Sequence, residues 1–192
     1  MDKKKQLRKE ILQKRDALSL TERKEKSRQI AKQIMEHTKF LQADTVLLFS
    51  SFRSEVDTKE IFLCAIQLGK RVYFPKVQGK EMEFYQVKNE AELIEGYCGI
   101  LEPKPDAKMR FLPQENEKIL VLMPASVVDK NGGRIGYGGG YYDKYLQGLE
   151  SKVSKEYLYK LAIAFSCQMV DEGIIPREVH DVQPDEVIVN QR

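Results

Sequence analysis

Residues 129–146 read DKNGGRIGYGGGYYDKYL and hold six of the twelve glycines in the chain. The apolar run ILVLM at residues 119–123 comes just before and predicts a buried strand that ends at Pro124. After the glycines, tyrosines and leucines recur at helical spacing from Tyr141 to Leu149. A glycine-rich segment between a strand and a helix offers backbone N–H groups and a helix N-terminus to an anion. The stretch therefore predicts a phosphate-binding loop.

This loop differs from the two best-known phosphate-binding motifs. No Gly-Lys-Ser/Thr follows it, so it is not a Walker A loop, and the spacing of Gly136, Gly138 and Gly140 does not fit GxGxxG. A turn that merely connects strand to helix is the alternative. Six glycines within residues 132–140 favour a binding loop, because glycine is the residue that costs most to order.

The composition is that of an ordinary globular protein. The chain has 192 residues, 42% of them hydrophobic, and a net charge of +3, which predicts one domain spanning residues 1–192. Three cysteines without CxxC spacing argue against a disulfide framework or a cysteine-rich zinc site. The sequence has neither a signal-peptide pattern nor an apolar run of membrane-spanning length, so we expect a cytoplasmic protein with no membrane partner.

The first sixteen residues are strongly basic, with seven lysines and arginines against three acidic residues. The apolar residues at 4–18 have helical spacing, which predicts an amphipathic helix with one basic side. Ser19 and Glu22 then form a capping-box pattern that begins a second helix, ending at about residue 37.

Strands and helices alternate along the rest of the chain. We predict further helices after residues 57–60 and at 89–95, and an extended loop over 96–117. The predicted strands are residues 44–49, 71–74 (ended by Pro75), 82–87, 119–123, 160–165 and 186–189. This order predicts a three-layer α/β/α fold with a mostly parallel, open, Rossmann-like sheet. Ligands bind such sheets beyond the carboxyl ends of the strands, so residues 50–55, 124–140 and the segment after 165 should converge on one cleft.

Seven motifs, in chain order, resemble the 5-formyltetrahydrofolate cyclo-ligase (methenyltetrahydrofolate synthetase) family. The most specific is RIGYGGGYYD at residues 134–143. The others are KKQLR at 4–8, EVDT at 55–58, YCGILEP at 97–103, FSCQ at 165–168, HD at 180–181 and DEV at 185–187. The chain departs from the family pattern at Pro124-Ala125, where Pro-Gly is usual, beside the expected folate site.

The resemblance implies an ATP- and Mg²⁺-dependent ring closure that converts 5-formyltetrahydrofolate to 5,10-methenyltetrahydrofolate and releases ADP and phosphate. ATP would be a co-substrate and Mg²⁺ a cofactor. The formyl oxygen is a poor leaving group, so phosphorylation has to precede attack by N10. Phosphoryl transfer asks a protein mainly for positioning and positive charge.

The resemblance also implies a role for individual residues. Arg134 and Tyr141 would be catalytic, and Asp143 and Asp181 would bind the metal. The implied ATP-binding residues are Lys4, Arg8, Arg134, Ile135, Gly136, Tyr137, Gly138, Gly139, Gly140, Tyr141 and Tyr142. The implied substrate-binding residues are Ser50, Glu55, Tyr137, Gly138, Gly139, Gly140, Tyr141 and Gln168.

Most of these residues also have a structural interpretation. Lys4 and Arg8 share one helix face that could simply be solvated. Asp143 could interact with the dipole of its helix, and Asp181 could be a turn residue. Glu55 could have no role at all. For His180 we expect a structural hydrogen bond, since phosphorylation already activates the oxygen and no histidine base is required.

Three competing functions fit parts of the sequence. A kinase or amide ligase could use the same phosphate loop, although Glu55 and residues 137–141 favour folate. The basic N-terminal helix could bind nucleic acid, although the small net charge and the absence of interleaved aromatic residues on that helix argue against it. An inactive relative is the third, but no motif is eroded. We expect small-molecule substrates, no nucleic-acid partner and a monomer.

Overall fold

The computed structural model describes residues 3–96 and 99–191. Tyr97 and Cys98 of the YCGILEP motif lie outside the described residues. The helices are α1 (Lys3–Asp16), α2 (Leu20–Glu36), α3 (Thr38–Gln42), α4 (Lys59–Gln67) and α5 (Tyr141–Glu150). The strands are β1 (Thr45–Leu47), β2 (Arg71–Gln78), β3 (Glu81–Gln86), β4 (Leu93–Glu95), β5 (Leu101–Pro103), β6 (Ile119–Pro124), β7 (Val127–Asp129), β8 (Arg134–Ile135), β9 (Leu158–Ala164), β10 (Met169–Val170) and β11 (Glu186–Val189). None of the described helices is both long and apolar enough to span a membrane.

Six strands form the main sheet in the order β11-β9-β6-β1-β2-β3. All neighbours are parallel except β2 and β3, which form an antiparallel hairpin. From β1 the chain continues to β2 and β3 on one side and later to β6, β9 and β11 on the other. Strand order therefore reverses between β1 and β6, and ligands bind open α/β sheets at such a switch point.

Alternating side chains of the central strands face two helical layers. In β1, Val46 belongs to one core cluster and Leu47 to the other. The Val46 side packs against α2, α3 and α4, whereas the Leu47 side packs against Leu146 and Leu149 of α5. The three-layer α/β/α fold with a mostly parallel, Rossmann-like sheet is thus confirmed.

Helix α1 covers a separate small sheet, in the order β10-β7-β8. Ile11 of α1 packs with Val127, Ile135 and Ile175 in a buried cluster of its own. Strands β7 and β8 are antiparallel and lie inside residues 124–140, which the sequence analysis predicted as a loop. The glycine-rich segment is therefore partly a hairpin, and only its second half, residues 136–140, is an open turn before α5.

The first turn of α2 confirms the predicted capping box. The Glu22 N–H donates to Ser19 Oγ at 3.2 Å, and the Ser19 N–H donates to Glu22 Oε2 at 2.8 Å. These two bonds satisfy amides that the helix itself leaves without partners. Together they fix the point at which the chain turns from α1 into α2.

Pro75 does not end its strand, contrary to the sequence prediction. β2 continues to Gln78, and Pro75 lies opposite Phe84 in the hairpin with β3. Beyond Tyr73, β2 has lost its pairing with β1, so that side of the strand is an edge. Proline is tolerated at a sheet edge because no ladder hydrogen bond needs its missing N–H.

Residues 89–117 also differ from the prediction. The expected helix at 89–95 is a single 3₁₀ turn, Glu90–Glu92, followed directly by β4. The expected loop over 96–117 contains β5, which pairs with β4, and the 3₁₀ turn Ala107–Met109. These elements are three residues each, too short for hydrophobic periodicity to reveal. The short helix α3 was missed for the same reason.

Candidate functional site

The three polar segments predicted to converge all follow strands at the carboxyl edge of the main sheet. Ser50 and Glu55 follow β1, the glycine-rich segment follows β6, and the 3₁₀ turn Ser166–Gln168 follows β9. Because these three strands are parallel neighbours, their carboxyl ends meet at one edge. β1 and β6 also flank the point at which strand order reverses. The candidate site lies there.

The open turn at residues 136–140 leads directly into α5. Gly138 has φ of +100°, a conformation that other residues rarely adopt, and Arg8 Nη1 would lie 3.3 Å from a Cβ added there. Gly140 begins α5 in the left-handed conformation, and no described side chain caps that helix. The N–H groups of the first turn of α5 therefore lack an intrahelical partner and can bind an anion.

Two predicted phosphate-binding cations pair with the two predicted metal ligands. Arg134 Nη2 donates to Asp143 Oδ1 at 2.7 Å, and Lys4 Nζ donates to Asp181 at 2.7 and 2.9 Å. The Val182 N–H also donates to Asp143 Oδ1, at 3.1 Å, so the segment that carries Asp181 lies against the start of α5. Carboxylate oxygens of this kind suit Mg²⁺.

The protonation states at this end favour charged groups. Burial disfavours the Lys4 ammonium, but the hydrogen bond to Asp181 and the charges of Asp181 and Glu178 outweigh it and raise the pKa of Lys4. Burial likewise opposes ionisation of Asp181, yet hydrogen bonds from Lys4 and the Glu178 N–H lower its pKa. Both groups stay charged at neutral pH.

Arg8, in the second helical turn of α1, contacts the glycine-rich segment. Arg8 Nε donates to the Gly136 carbonyl at 2.8 Å. The same carbonyl accepts a hydrogen bond from Ser126 Oγ at 2.9 Å. Lys4 and Arg8 thus face the site and are not part of a solvated basic face, which had been the structural interpretation of both residues.

The opposite end of the site is built around Glu55. Its Oε2 accepts a hydrogen bond from the Phe52 N–H at 2.8 Å, and Tyr137 interacts with the carboxylate from the glycine-rich turn. Burial raises the pKa of Glu55, although the Tyr137 and Phe52 hydrogen bonds and the charge of Arg15 oppose the rise. A partly desolvated carboxylate is a strong acceptor for N–H groups of a ligand.

Aromatic rings of α5 pack against the β2–β3 hairpin beside the glycine-rich turn. Tyr142 and Tyr145 of α5 pack against Phe84 with ring centroids 6.2 and 4.9 Å apart. The Tyr141 hydroxyl donates to the Gly79 carbonyl at the tip of the β2–β3 hairpin, at 3.3 Å. The hairpin therefore borders the site, a feature that the sequence did not indicate.

Buried polar atoms without a partner are concentrated at this site. Six such side-chain atoms occur among the described residues, and three of them belong to predicted site residues: Ser50 Oγ, Arg134 Nε and Tyr142 Oη. An unpaired buried polar group costs free energy, so native proteins rarely keep one without a reason. A ligand that supplies the missing partners is such a reason.

Two residues predicted to bind a ligand, Gln168 and Ile135, use polar atoms in hydrogen bonds within the protein. Gln168 is buried, its Nε2 donates to the carbonyls of Ala125 and Ser126, and its Oε1 accepts from the Phe165 N–H. The Ile135 side chain lies in the α1 cluster, and its carbonyl accepts a hydrogen bond from Ser126 Oγ. Both residues shape the site from behind. Ala125, the departure from the family pattern, packs in the core on the α5 side of the sheet, and its carbonyl accepts from Gln168.

His180 has the structural contact that we expected. Its Nε2 lies 2.9 Å from a Glu178 carboxylate oxygen, and its side chain is largely exposed. Glu178, His180 and Asp181 each offer a potential metal-ligand atom, and these atoms lie within 4.8 Å of one another. No proton-transfer role for the histidine follows from this arrangement.

Arg15 is a site residue that the sequence interpretation missed. It is buried, its Nε donates to Ser54 Oγ at 3.0 Å, and its Nη1 donates to the Tyr137 hydroxyl. The signal was present in the spacing: Lys4, Arg8, Ile11 and Arg15 recur every three or four residues, so they share one face of α1. Assigning the basic residues to the solvated side of the helix concealed it.

Three comparisons with known proteins agree. The family model "5-formyltetrahydrofolate cyclo-ligase family" matches residues 1–190. The 5-formyltetrahydrofolate cyclo-ligase of Escherichia coli K12 is 31% identical over 175 residues, covering 90% of this chain and 92% of the relative. The solved 5,10-methenyltetrahydrofolate synthetase of Aquifex aeolicus superposes with a TM-score of 0.80 at 30% identity, covering 98% of this chain and 90% of the other. That of Mycoplasma pneumoniae gives 0.72 at 27% identity, covering 98% of each chain. The chain belongs to the 5-formyltetrahydrofolate cyclo-ligase family and is a ligase.

Proposed function

We propose that this chain, as a single domain of residues 1–192, converts 5-formyltetrahydrofolate to 5,10-methenyltetrahydrofolate with ATP and Mg²⁺, releasing ADP and phosphate. Family membership supports the substrate and the product. The chemistry supports the nucleotide, because the formyl oxygen has to leave and is a poor leaving group. Transfer of the γ-phosphoryl group to that oxygen makes it a phosphate, which departs when N10 closes the ring.

The ATP end would be formed by residues 134–142 together with Lys4 and Arg8. The first turn of α5 and the preceding glycines offer backbone N–H groups, and the three cations offer positive charge to the triphosphate. Arg134 is the best candidate to stabilise the charge that develops on the transferred group, since its buried guanidinium still has an unpaired Nε.

Mg²⁺ would be held by Asp143 and Asp181. Bound there, it would neutralise charge on the phosphates. Each carboxylate already forms an ion pair with a basic side chain, Asp143 with Arg134 and Asp181 with Lys4. Lys4 lowers the pKa of Asp181 and so favours its ionised form, which is the form that binds a metal.

The folate end would be formed by Glu55, residues 137–141 and Ser50. The pterin carries amino and ring N–H groups, and the Glu55 carboxylate accepts from such donors. Tyr141 begins α5 directly after the glycine-rich turn, and this position supports a role in orienting the formyl group. Ser50 and Gln168 remain predicted substrate contacts, Ser50 through a hydroxyl that is buried without a described partner.

One observation carries the proposal. The unpaired buried atoms of Ser50, Arg134 and Tyr142 come from two segments far apart in the sequence, residue 50 after β1 and residues 134–142 after β6, whose strands flank the switch point. A glycine-rich turn that merely connected β8 to α5 would give no reason to leave these atoms unpaired. A folate and a nucleotide that meet there would supply partners for them.

Following the absorbance of the methenyl product in the near ultraviolet tests the proposal directly. Purified protein is mixed with 5-formyltetrahydrofolate, ATP and Mg²⁺, and parallel reactions omit ATP or Mg²⁺. We expect a rise that requires both. ATP binding without a rise would indicate another phosphoryl acceptor, such as that of a kinase or amide ligase. Absence of both binding and product would refute the proposal.

The nucleic-acid interpretation of α1 is weaker than it was from sequence. Lys4, Arg8 and Arg15 engage groups of the site, so these cations are turned away from a partner surface. The monomeric state and the cytoplasmic location stay predictions. Size-exclusion chromatography with light scattering tests the first and cell fractionation the second.

A further inference from the structure

Arg15 is a buried cation whose partners connect it to the folate end of the site. Its side chain is only 5% exposed. The guanidinium donates to Ser54 Oγ and to the Tyr137 hydroxyl, and its Cζ lies 5.6 Å from the centroid of the Tyr137 ring. Desolvating a guanidinium is costly, and burial this complete therefore requires compensation from the surrounding groups.

Direct carboxylate contact provides little of that compensation. The Asp16 carboxylate lies 3.6 Å from Arg15 Nε, but Asp16 is largely exposed and its charge is screened by water. Glu55 is a half-buried carboxylate whose charge acts on Arg15, and the Tyr137 hydroxyl interacts with both groups. The hydroxyl can accept from Arg15 and donate to Glu55 at the same time.

The groups that face Glu55 come from four parts of the chain. Its own loop contributes the Phe52 N–H, the glycine-rich turn contributes the Tyr137 hydroxyl, α1 contributes the charge of Arg15, and Tyr142 of α5 lies close enough to feel the charge of Glu55. Arg15 is the cation among these groups. Without it, the remaining neutral donors would have to hold a desolvated carboxylate alone.

We propose that Arg15 is a positioning residue for the folate: through the Tyr137 hydroxyl it holds Glu55 as an ionised, oriented acceptor for the N–H groups of the substrate. The inference rests on the proposed function, in which Glu55 binds the pterin. In this role Arg15 itself contacts neither 5-formyltetrahydrofolate nor ATP. It also predicts that Arg15 determines the affinity for 5-formyltetrahydrofolate and does not affect ATP binding, although Lys4 and Arg8 of the ATP end lie on the same helix.

A purely structural role is the alternative, in which Arg15 only fastens α1 to the loop that carries Ser54. The two roles differ in what else changes. Loosening α1 would also displace Lys4 and Arg8, so the KM values for ATP and for folate would rise together. Loss of the Tyr137–Glu55 connection would raise the KM for folate alone and would depend on the tyrosine hydroxyl.

Steady-state kinetics on five variants separates the roles. Arg15→Met removes the charge and keeps the bulk of the side chain, Arg15→Lys restores a charge, and Tyr137→Phe removes the hydroxyl. Lys14→Met removes a charge from an exposed neighbour on the same helix and serves as the matched control. The double variant Arg15→Met/Tyr137→Phe tests whether both residues act through one path.

We expect Arg15→Met to raise the KM for 5-formyltetrahydrofolate by about 10- to 100-fold, as for loss of a charge-assisted contact, with little change in the KM for ATP. The acid limb of kcat/KM should move to higher pH, because Glu55 then ionises less readily. Arg15→Lys should recover part of the loss. The double variant should be no worse than the poorer single variant. Equal rises in both KM values, or additive effects, would overturn the proposal.

A measurement without ligand separates failure of this inference from failure of the proposed function. In protein labelled with ¹³C-glutamate, Glu55→Gln identifies the Glu55 carboxyl signal, which is then titrated. We expect Arg15→Met to raise the pKa of Glu55 and Lys14→Met to leave it in place. If the pKa of Glu55 rises in Arg15→Met as expected but the wild type forms no methenyl product, the proposed function fails and the Arg15 contact stands. An unchanged pKa in Arg15→Met would overturn the contact whatever the activity.

Discussion

Arg134 combines a direct carboxylate partner with an unpaired nitrogen in one buried guanidinium. Its Nη1 also donates to the Pro124 carbonyl at 3.3 Å, so the end of β6 orients it. A buried, oriented guanidinium with a free N–H is suited to charge that appears only during reaction. Lysine in its place would supply charge without the planar fork.

Replacing Arg134 should therefore reduce turnover far more than substrate binding. We expect Arg134→Met to lower kcat by about 100-fold or more, the usual effect of removing one donor from a developing charge. Arg134→Lys should restore only a small part. Lys144→Met, at an exposed position on α5, is the control for loss of charge and should keep wild-type kcat. Turnover within about threefold of wild type in Arg134→Met would remove this residue from the mechanism.

Tyr142 has a buried hydroxyl for which the described residues provide no partner. Burial raises its pKa, and the charge of Glu55 raises it further. The hydroxyl is thus a neutral, desolvated group that costs stability in the free protein.

Tyr142→Phe should accordingly stabilise the free protein by roughly 1 kcal/mol while weakening substrate binding, because the phenylalanine ring fills the same space without an unpaired polar atom. Urea unfolding measures the first effect and KM the second. Tyr145→Phe alters the neighbouring ring that also packs on Phe84, and it should show neither change. A destabilised Tyr142→Phe protein would mean that the hydroxyl has a partner.

At the scale of elements, two glycines of the same region have opposite requirements. Gly133 lies in the β7–β8 hairpin, where its N–H donates to Asp129 Oδ1 at 2.7 Å and an added Cβ would lie 2.2 Å from Asp129 Oδ2. Gly148 lies inside α5, and a Cβ there would meet nothing within 4 Å. The hairpin therefore needs its glycine, whereas the helix does not.

Alanine at the two positions should change stability in opposite directions. Gly148→Ala should stabilise the protein by about 0.5–1 kcal/mol, because alanine loses less backbone entropy in a helix. Gly133→Ala should destabilise it by about 2 kcal/mol or more, since buried Asp129 has to move and its hydrogen bonds are disturbed. Urea unfolding of both variants measures the difference. A neutral Gly133→Ala would show that the hairpin tolerates a side chain.

These elements also show what the sequence could and could not predict. β6 and α5 could be predicted because their signals are local in the sequence: an apolar run before Pro124 and tyrosines at helical spacing after Gly140. Pro75 was misread because the free edge beside it exists only after β1 and β2 pair. Arg15 was missed because the contact that buries its charge comes from Tyr137, far along the chain. Periodicity identifies a helix face, but only the tertiary contacts show which face is buried.

At the scale of the whole molecule, the amino-terminal helix and a loop near the carboxyl terminus close on the same end of the site. Lys4 of α1 pairs with Asp181, and Arg134 pairs with Asp143 of α5. Each pair joins a predicted phosphate-binding cation to a predicted metal-binding carboxylate. The charges of these two pairs therefore neutralise one another, and a nucleotide bound as proposed would have to exchange these partners.

This exchange predicts that ATP and Mg²⁺ bind cooperatively. ATP alone would draw Lys4 and Arg134 to its phosphates and leave Asp143 and Asp181 as unpaired negative charges nearby, whereas Mg²⁺ would pair with both. We expect removal of Mg²⁺ by EDTA to weaken ATP binding by about 5- to 150-fold, the usual range of coupling between two sites, measured by isothermal titration calorimetry. Asp143→Asn/Asp181→Asn removes the carboxylates, so its ATP affinity should be nearly independent of Mg²⁺. Equal dependence on Mg²⁺ in the wild type and the double variant would show that the metal effect arises elsewhere, for example on the nucleotide alone.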